Sequence, residues 1–227
     1  MIKLENTEVL GWEHAIRGMR NPKNSWDRSD SFWNYKPCGE CNGNSSCIDD
    51  YNIGPNDHKL MMNLAAGGPV HAKYRRMIAV YVDITAPLYW WKEFDTYKIG
   101  TVANSCSTMH KIHDKEFTLE DFSCEHLVIA SLACLHTTIE QLNWCRDSFL
   151  KTKDKGCWWQ MIQLLPSSYN QKRTVMLNYE VLAGIYPMRK NHKLDEWHEF
   201  CEWIESLPYS EIIIGKEEEK EQCQKQN

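Results

Sequence analysis

The residues with the most chemical potential lie together in a short loop near the middle of the chain. Residues 100–108, with the sequence GTVANSCST, combine hydroxyls, a thiol, a carboxamide and several small side chains. These groups donate and accept hydrogen bonds, and the glycine lets a ligand come close to the main chain. Cys106 lies between Ser105 and Ser107, so a hydroxyl flanks the thiol on both sides. The loop therefore predicts a binding site for a small polar ligand.

A second group of reactive side chains lies in the sequence CGECNGNSSC. Cys38 and Cys41 form a Cys-x-x-Cys pair, whose turn aims two thiolates at one point, and Cys47 and His58 offer two further zinc ligands. The second half does not have the spacing of a standard zinc site. We therefore favour an ordinary loop of reduced cysteines with no metal, and the zinc site is the alternative.

The elements before the central loop predict a rigid support for it. From residue 77 to residue 84 the β-branched side chains alternate with other residues, which is typical of a strand with one buried face. Ala86 and Pro87 follow, and proline is well suited to the first turn of a helix. Leu88, Trp91 and Phe94 then lie near one face of that helix. A strand, a short aromatic helix and a polar loop are thus predicted in succession.

The remaining hydrophobic periodicity predicts mainly helices, at residues 9–20, 58–66, 124–150, 158–165, 173–186 and 194–207. Arg17 and Arg20, at the end of the first, either contact a phosphate or are simply solvated. Residues 22–57 form a polar, cysteine-containing insertion, and residues 216–227 form a charged tail. No internal repeat or linker separates two cores, so we expect residues 1–215 to form one α+β domain.

The composition excludes several classes of protein. With 227 residues, 42% of them hydrophobic and 25% charged, the chain has the composition of a globular protein. Its net charge of −5 argues against binding to long nucleic acid, which requires many cations. The sequence has neither a run of eighteen apolar residues nor a signal peptide, so we expect a cytoplasmic protein without a membrane partner.

The central stretch resembles the signature region of the flavin-dependent thymidylate synthases (ThyX). In that family a strand ending in Ala-Pro leads into a helix, then an R-H-R motif, seven residues and a serine. Aligned without gaps from Ala86-Pro87, the motif falls on Thr96-Tyr97-Lys98 and on Cys106, so the spacing is kept while the R-H-R letters are replaced. Residues 15–21 (AIRGMRN) and 165–189 resemble further family segments. The resemblance implies a ThyX-like α+β fold, with a central antiparallel or mixed sheet packed with long helices.

The resemblance also implies roles for individual residues. His71, Ile99 and Asn178 match positions that contact the flavin. The positions that match the substrate site are Glu93, Lys98, Ser105, Cys106 and Arg189. Arg189 is in addition the expected catalytic residue, because its planar fork can hold a pyrimidine edge or a phosphate with two hydrogen bonds. Arg76 and Glu180 stand where the family has glutamate and arginine, so a salt bridge of reversed polarity and a rebuilt flavin pocket are both open.

As a function, the resemblance implies reductive methylation of dUMP or a related pyrimidine deoxynucleotide. The carbon would come from methylenetetrahydrofolate and the electrons from NADPH through FAD, in a homotetramer. Because R-H-R is absent, an alternative is a catalytically inactive nucleotide-binding or regulatory protein on the same scaffold. A third hypothesis is the same chemistry on another pyrimidine, selected by Glu93 in place of the family's glutamine.

Overall fold

A computed structural model describes the backbone of residues 2–37 and 46–215, and all side chains among them except those of residues 35–50. The strands are β1 (Lys3–Leu10), β2 (Phe32–Pro37), β3 (Ser46–Asn52), β4 (Ala79–Pro87), β5 (Val102–Ser105) and β6 (Asn170–Asn178). The α-helices are α1 (Trp12–Arg20), α2 (Pro55–Ala66), α3 (Leu88–Phe94), α4 (Ile129–Thr152), α5 (Lys155–Leu164), α6 (Tyr179–Arg189), α7 (Asp195–Ser206) and α8 (Glu211–Ile214). Helices and antiparallel strands are mixed along the chain, which confirms the α+β class.

Strand β4 has one buried face, as the alternation predicted. Ile78, Val80, Val82 and Ile84 are 0–1% exposed, whereas Tyr81 on the opposite face is 41% exposed. The four-stranded sheet has the order β1-β4-β6-β5. Contacts between β4 and β6 run in opposite directions along the two strands, as in an antiparallel pair: the Tyr179 N–H donates to the Ile78 carbonyl, and the Thr174 hydroxyl to Asp83.

The predicted helix over residues 173–186 is wrong in its first half. Residues 170–178 form β6, in which Val175 and Leu177 are both 0% exposed. Burial of alternate residues and a β-branched side chain at Val175 both suit a strand. The neighbouring strands supply the backbone hydrogen-bond partners, and a sequence pattern cannot reveal these partners. Helix α6 begins only after Asn178, and Pro187 lies inside its last turns.

Two other expectations are corrected at element boundaries. The first helix begins at Trp12 because Gly11, in the left-handed region at φ 96°, separates it from strand β1. A side chain at residue 11 would also lie 2.2 Å from the Met77 carbonyl oxygen. The central loop contains an edge strand, β5, which pairs antiparallel with β6 and has all four residues exposed.

Contacts divide the chain into two compact units. Unit 1 comprises Met1–Thr7, Tyr81–Met176 and Lys193–Phe200, and unit 2 comprises Glu8–Val80, Leu177–His192 and Cys201–Asn227. The interpretation of residues 1–215 as a single domain stays a prediction. The predicted insertion at 22–57 contains the antiparallel hairpin β2–β3, which lies in unit 2. None of the helices among the described residues is long and apolar enough to cross a membrane.

Unit 1 has two groups of buried side chains. In the first, α4 and α5 pack through Leu135, Ile139, Leu142, Cys145 and Met161. The helix expected over residues 124–150 is present but begins only at Ile129, which is 89% exposed. The second is aromatic: the Trp90 ring lies 5.0 Å from Phe94 and 4.8 Å from Trp197, between ring centroids. This aromatic group anchors α3, directly before the predicted substrate segment.

Candidate functional site

In unit 1, the segment that follows α3 is turned back by its own hydrogen bonds. The Thr96 hydroxyl donates to the Glu93 carbonyl at 2.7 Å, and the Tyr97 N–H donates to the Phe94 carbonyl at 3.0 Å. Lys98 is exposed, and the Ile99 side chain is 93% exposed. A cation and an apolar side chain thus stand next to each other at the surface, available to a ligand with a flat ring and an anionic group.

A small cavity of about 170 Å³ lies beside this turn. Tyr97, Lys98 and Thr101 line it, together with Asp95 and the buried ring of Phe94. The Thr101 hydroxyl is buried, and it has no hydrogen-bond partner among residues 2–37 and 46–215. A buried hydroxyl without a partner is costly, and a polar group of a ligand in this cavity could satisfy it.

Cys106 has a fixed backbone and an exposed side chain. Its N–H donates to the Lys172 carbonyl at 2.9 Å, and its carbonyl accepts a hydrogen bond from the Gln171 side chain at 2.7 Å. Ser105 is also exposed, at the end of β5. The Ser107 hydroxyl accepts hydrogen bonds from the backbone of the following turn, at Met109 and His110. The edge strand therefore holds the backbone at Ser105 and Cys106 in place.

Glu93 is bound to the aromatic core of unit 1. The Trp197 indole N–H donates to its carboxylate at 2.9 Å. One carboxylate oxygen therefore has a structural partner, and this partner comes from a helix 104 residues further along the chain. The sequence offered no signal for this contact.

In unit 2, Asn178 and Arg189 lie at opposite ends of α6. The Asn178 side-chain oxygen accepts the Val181 N–H at 3.0 Å and caps the helix, while its amide nitrogen has no hydrogen bond among the described residues. Arg189 lies in the last turn and is half-buried. The eleven residue steps between them span roughly 16 Å along the axis. Within one chain, only a long ligand could contact both.

Glu180, which stands where the ThyX family has arginine, forms a salt bridge with Arg75 and not with Arg76, the residue that the alignment suggested. Arg75 donates through Nε to the Glu180 carboxylate at 2.7 Å and through Nη1 to the Ile212 carbonyl at 3.1 Å. Arg75 is 8% exposed, whereas Arg76 is exposed and unpaired within the described part of the chain. Glu180 is therefore neutralised by Arg75, and the pair is a structural element of unit 2.

A cavity with a volume of about 1280 Å³ lies in unit 2. His71 lines it and is exposed. The backbone at His71 is held in a tight turn, since its main-chain N–H donates to the Gly68 carbonyl at 3.0 Å and Gly68 has φ 84°. Lys23, Arg28, Lys59 and Lys73 also line the cavity. These four cations come from three separate segments of the chain, so no local sequence pattern indicates that they lie together.

Arg20 also lines this cavity, but its guanidinium is already occupied. It is 4% exposed, and Nε donates to the Asp57 carboxylate at 2.6 Å while Nη1 donates to the Ser25 carbonyl at 3.1 Å. The expectation that Arg20 is solvated is wrong. To bind a phosphate, the Arg20 guanidinium would have to break its ion pair with Asp57, whose carboxylate is fully buried, and this would be costly. Arg17 is exposed and does not line the cavity.

The alternative zinc site cannot be assembled from described side chains. Cys38 and Cys41 lie outside the described residues, as does the side chain of Cys47. The fourth candidate, His58, contacts Glu211 through Nε2 at 2.7 Å. No group of three or more histidine, cysteine, aspartate or glutamate side chains elsewhere in the described structure could hold a metal ion.

Comparison with protein-family models and with curated proteins gives no match. Solved structures do match over nearly the whole chain. One is thymidylate synthase X (ThyX) from Helicobacter pylori with FAD and dUMP, with 14% identity, a TM-score of 0.63, and coverage of 93% of this chain and 96% of that one. Another, flavin-dependent thymidylate synthase ThyX from the same organism complexed with FAD and dUMP, gives 14% identity, a TM-score of 0.62, and coverage of 92% and 96%. The chain therefore has a ThyX-like fold.

Proposed function

We propose that this chain is a flavoprotein that reductively methylates dUMP or a related pyrimidine deoxynucleotide. The observation that supports this most strongly is the ThyX-like fold, because it extends over 93% of the chain and is shared with proteins solved with FAD and dUMP. The proposed co-substrates are methylenetetrahydrofolate, which supplies the carbon, and NADPH, which supplies the electrons. Fold alone does not define chemistry, so the proposal also depends on residues that fit the ligands.

The residues fit a flavin dinucleotide in three respects. Ile99 offers an almost fully exposed apolar surface to a flat ring, the Asn178 amide nitrogen can donate to a ligand oxygen, and the cavity beside His71 is large and rich in cations. Bound FAD would carry the reducing equivalents from NADPH that convert the transferred methylene carbon to a methyl group. The protein's part is to hold the two rings in register and to exclude water.

For the nucleotide, we propose a site with fewer cations than the R-H-R motif provides. Lys98 supplies one positive charge without a bidentate fork, and Ser105 and the Cys106 backbone supply polar contacts. Arg189 would stabilise negative charge on the pyrimidine oxygen in the enolate-like form of the ring, from which carbon 5 attacks the methylene group. Since Arg189 and Asn178 are far apart along α6, we propose that a homotetramer completes the site with residues of other copies.

An exposed apolar surface on unit 1 supports self-association. Ile129 is 89% exposed, Val128 68% and Trp144 62%, although they lie on or beside the long helix α4. Contiguous exposed apolar residues mark interaction surfaces, so we propose that the adjacent Val128 and Ile129 belong to such a surface. Light scattering coupled to gel filtration should give the mass of a tetramer, and a monomer at micromolar concentration would contradict this part of the proposal.

The decisive experiment is the visible spectrum of the purified protein, followed by turnover. We expect flavin absorbance near 450 nm, or its appearance after reconstitution with FAD. dUMP, methylenetetrahydrofolate and NADPH should then yield dTMP by mass spectrometry. Arg189→Lys should lower kcat/KM by about 10- to 100-fold, because it keeps the charge but loses the fork. A colourless protein that never takes up FAD would exclude the proposal.

The second candidate function is nucleotide binding without catalysis. It is favoured by the buried Arg75–Glu180 pair, which leaves neither charge for a cofactor, and by Thr96 and Tyr97, which provide no cation where the family has two positively ionisable residues. It predicts an increase in Tm with dUMP in the absence of any flavin. The third hypothesis, selection of another pyrimidine by Glu93, predicts that Glu93→Gln changes the preferred base; an unchanged preference would exclude it.

A further inference from the structure

The segment from residue 95 to residue 106, the ligand segment, is not held in place by the core of unit 1. It carries four residues that are proposed to contact ligands, namely Lys98, Ile99, Ser105 and Cys106. None of its residues is buried, and all four residues of its edge strand β5 are exposed. A stretch with few buried apolar contacts opens easily. The ligand segment therefore depends on polar contacts for a fixed position.

One end of the ligand segment is bound to strand β6 by Gln171, a residue that is 7% exposed. The Gln171 Nε2 donates to the Cys106 carbonyl at 2.7 Å, and the Cys106 N–H donates to the Lys172 carbonyl at 2.9 Å. The pairing of β5 with β6 ends one residue earlier, at Ser105. The Gln171 side chain thus extends the hold on the main chain beyond the strand, as far as Cys106.

The other end is bound by Arg173, which lies two residues further along the same face of β6. Its Nη1 donates to the Asp95 carboxylate at 2.8 Å, and its guanidinium lies 4.1 Å from the centroid of the Trp91 ring. The Arg173 side chain is 13% exposed, and a partly desolvated cation gains more from an aromatic face than an exposed one does. Asp95 immediately precedes residues 96–98, which match the R-H-R positions. The start of the ligand segment is thereby anchored to the sheet.

A single amide joins the two ends. The Gln171 Oε1 accepts the Arg173 Nε–H at 3.0 Å, while Nε2 of the same side chain binds Cys106. The Gln171 main-chain carbonyl accepts the Trp91 indole N–H at 3.0 Å, which fixes the backbone that carries the amide. A carboxamide offers a donor and an acceptor side by side, which a carboxylate does not. The contacts therefore form one continuous chain from Cys106 to Asp95.

From this geometry we infer that Gln171 is a positioning residue for nucleotide binding. Together with Arg173 it holds both ends of the ligand segment, so that Lys98 and Ser105 are in place before the nucleotide arrives. Side chains that are fixed in advance bind more tightly, because less ordering is needed on binding. Gln171 acts through Cys106 and contacts no ligand itself. The inference rests on the proposed function for the identity of the ligand.

Gln171→Glu is the most selective test, because a carboxylate keeps the acceptor for Arg173 and loses the donor to Cys106. Hydrogen exchange measured by mass spectrometry should become about tenfold faster in peptides that cover residues 99–108 and stay unchanged in peptides of α4. The control is Gln163→Glu, the same change at an exposed residue of α5, and it should leave both groups of peptides unchanged. Equal exchange in Gln171→Glu and the wild type would overturn the inference.

Ligand binding separates a positioning role from a merely structural one. In calorimetric titration of the full 227-residue chain, Gln171→Glu should weaken the binding of dUMP by about tenfold, and Gln163→Glu by less than about twofold. In turnover assays KM for dUMP should rise by the same factor, whereas a loss of folded protein alone would lower kcat and leave KM unchanged. Asp95→Asn releases the other end at a position whose side chain is 51% exposed, and it should weaken dUMP by about fivefold. If Gln171→Glu does not fold, Asp95→Asn decides between the same outcomes.

The outcomes distinguish this inference from the proposed function. Unchanged dUMP affinity and KM in folded Gln171→Glu, in a protein that makes dTMP, would overturn the inference and leave the proposed function standing. Binding of dUMP that depends on Gln171, in a protein that never takes up FAD, would support the inference and exclude flavin-dependent methylation. A wild-type chain that does not bind dUMP would overturn the inference whether or not it takes up FAD.

Discussion

Asp57→Asn is the substitution that tests the structural argument most directly. Asp57 is 0% exposed, and one of its oxygens accepts the Arg20 guanidinium at 2.6 Å. The other oxygen accepts four donors, namely the hydroxyls of Ser29 and Ser31 and the N–H groups of Asp30 and Ser31, at 2.7 to 3.2 Å. An asparagine would direct its NH₂ group at Arg20 in one orientation and at four donors in the other.

The expected loss follows from this geometry. Neither orientation of the amide satisfies both sides, and Arg20, which is 4% exposed, is left as a buried cation without a countercharge. Breaking one partner of a buried ion pair costs about 3–5 kcal/mol, and the hydrogen bonds that asparagine retains reduce this to about 2–4 kcal/mol. The equilibrium constant for unfolding should thus rise by roughly 30- to 1,000-fold.

Guanidinium chloride unfolding, followed by tryptophan fluorescence, measures this loss. Asp27→Asn is the matched control, because Asp27 is exposed and should change the free energy of unfolding by less than about 0.5 kcal/mol. If Asp57→Asn behaves like the control, the network does not hold the cavity wall and the reasoning is refuted.

The same substitution has a pH signature. Burial by itself would raise the pKa of Asp57, but hydrogen bonds from Ser29, Ser31 and Arg20 outweigh it and hold the pKa below the ordinary 3.8. A carboxylate with a depressed folded pKa stabilises the protein above its unfolded pKa, and this contribution is lost as the pH falls through the folded value. The difference in stability between the wild type and Asp57→Asn should therefore shrink below about pH 4.

Two further predictions concern stability. Glu180→Gln should lower the free energy of unfolding by about 2–3 kcal/mol, because it leaves the buried Arg75 without a countercharge. In denaturant unfolding, the addition of Arg75→Met to the same chain should recover part of this loss. If the effects of the two substitutions are fully additive, Arg75 and Glu180 do not act as a pair. Hydrogen bonds from Thr174, Asn6 and Lys172 lower the pKa of Asp83 to about 2. The ionised Asp83 therefore stabilises the fold above pH 3.8, and this contribution is lost as the pH falls through 2. Asp83→Asn should flatten the acid side of a plot of Tm against pH, and an unaltered profile would exclude this role.

Periodicity predicted what depends on neighbours in the chain. The alternation of Ile78, Val80, Val82 and Ile84 was enough to predict strand β4, because side chains on one strand alternate between two faces. It failed at residues 173–178, where Val175 and Leu177 suit a strand only because the sheet has a place for them. The edge strand β5 was missed for the same reason, since it depends on pairing with β6.

For the candidate site, the sequence supplied positions but not partners. Alignment to the ThyX pattern suggested that Glu180 could pair with Arg76, while the structure places Arg75 there. Consecutive residues leave a short helix in different directions, and only the packing determines which one is buried. The cations of the large cavity were missed because Lys23, Lys59 and Lys73 belong to different segments.

The amino-acid sequence by itself determined the ordinary globular composition, the buried face of β4 and the spacing that relates this chain to the ThyX fold. Only the tertiary structure decided which charges are consumed by the protein and which are left for a ligand. Arg20 and Arg75 are bound to carboxylates 37 and 105 residues away, while Lys59 and Lys73 have no such partner among the described residues. The physical reason is that the availability of a charge depends on burial and on countercharges brought close by folding, which no local pattern encodes.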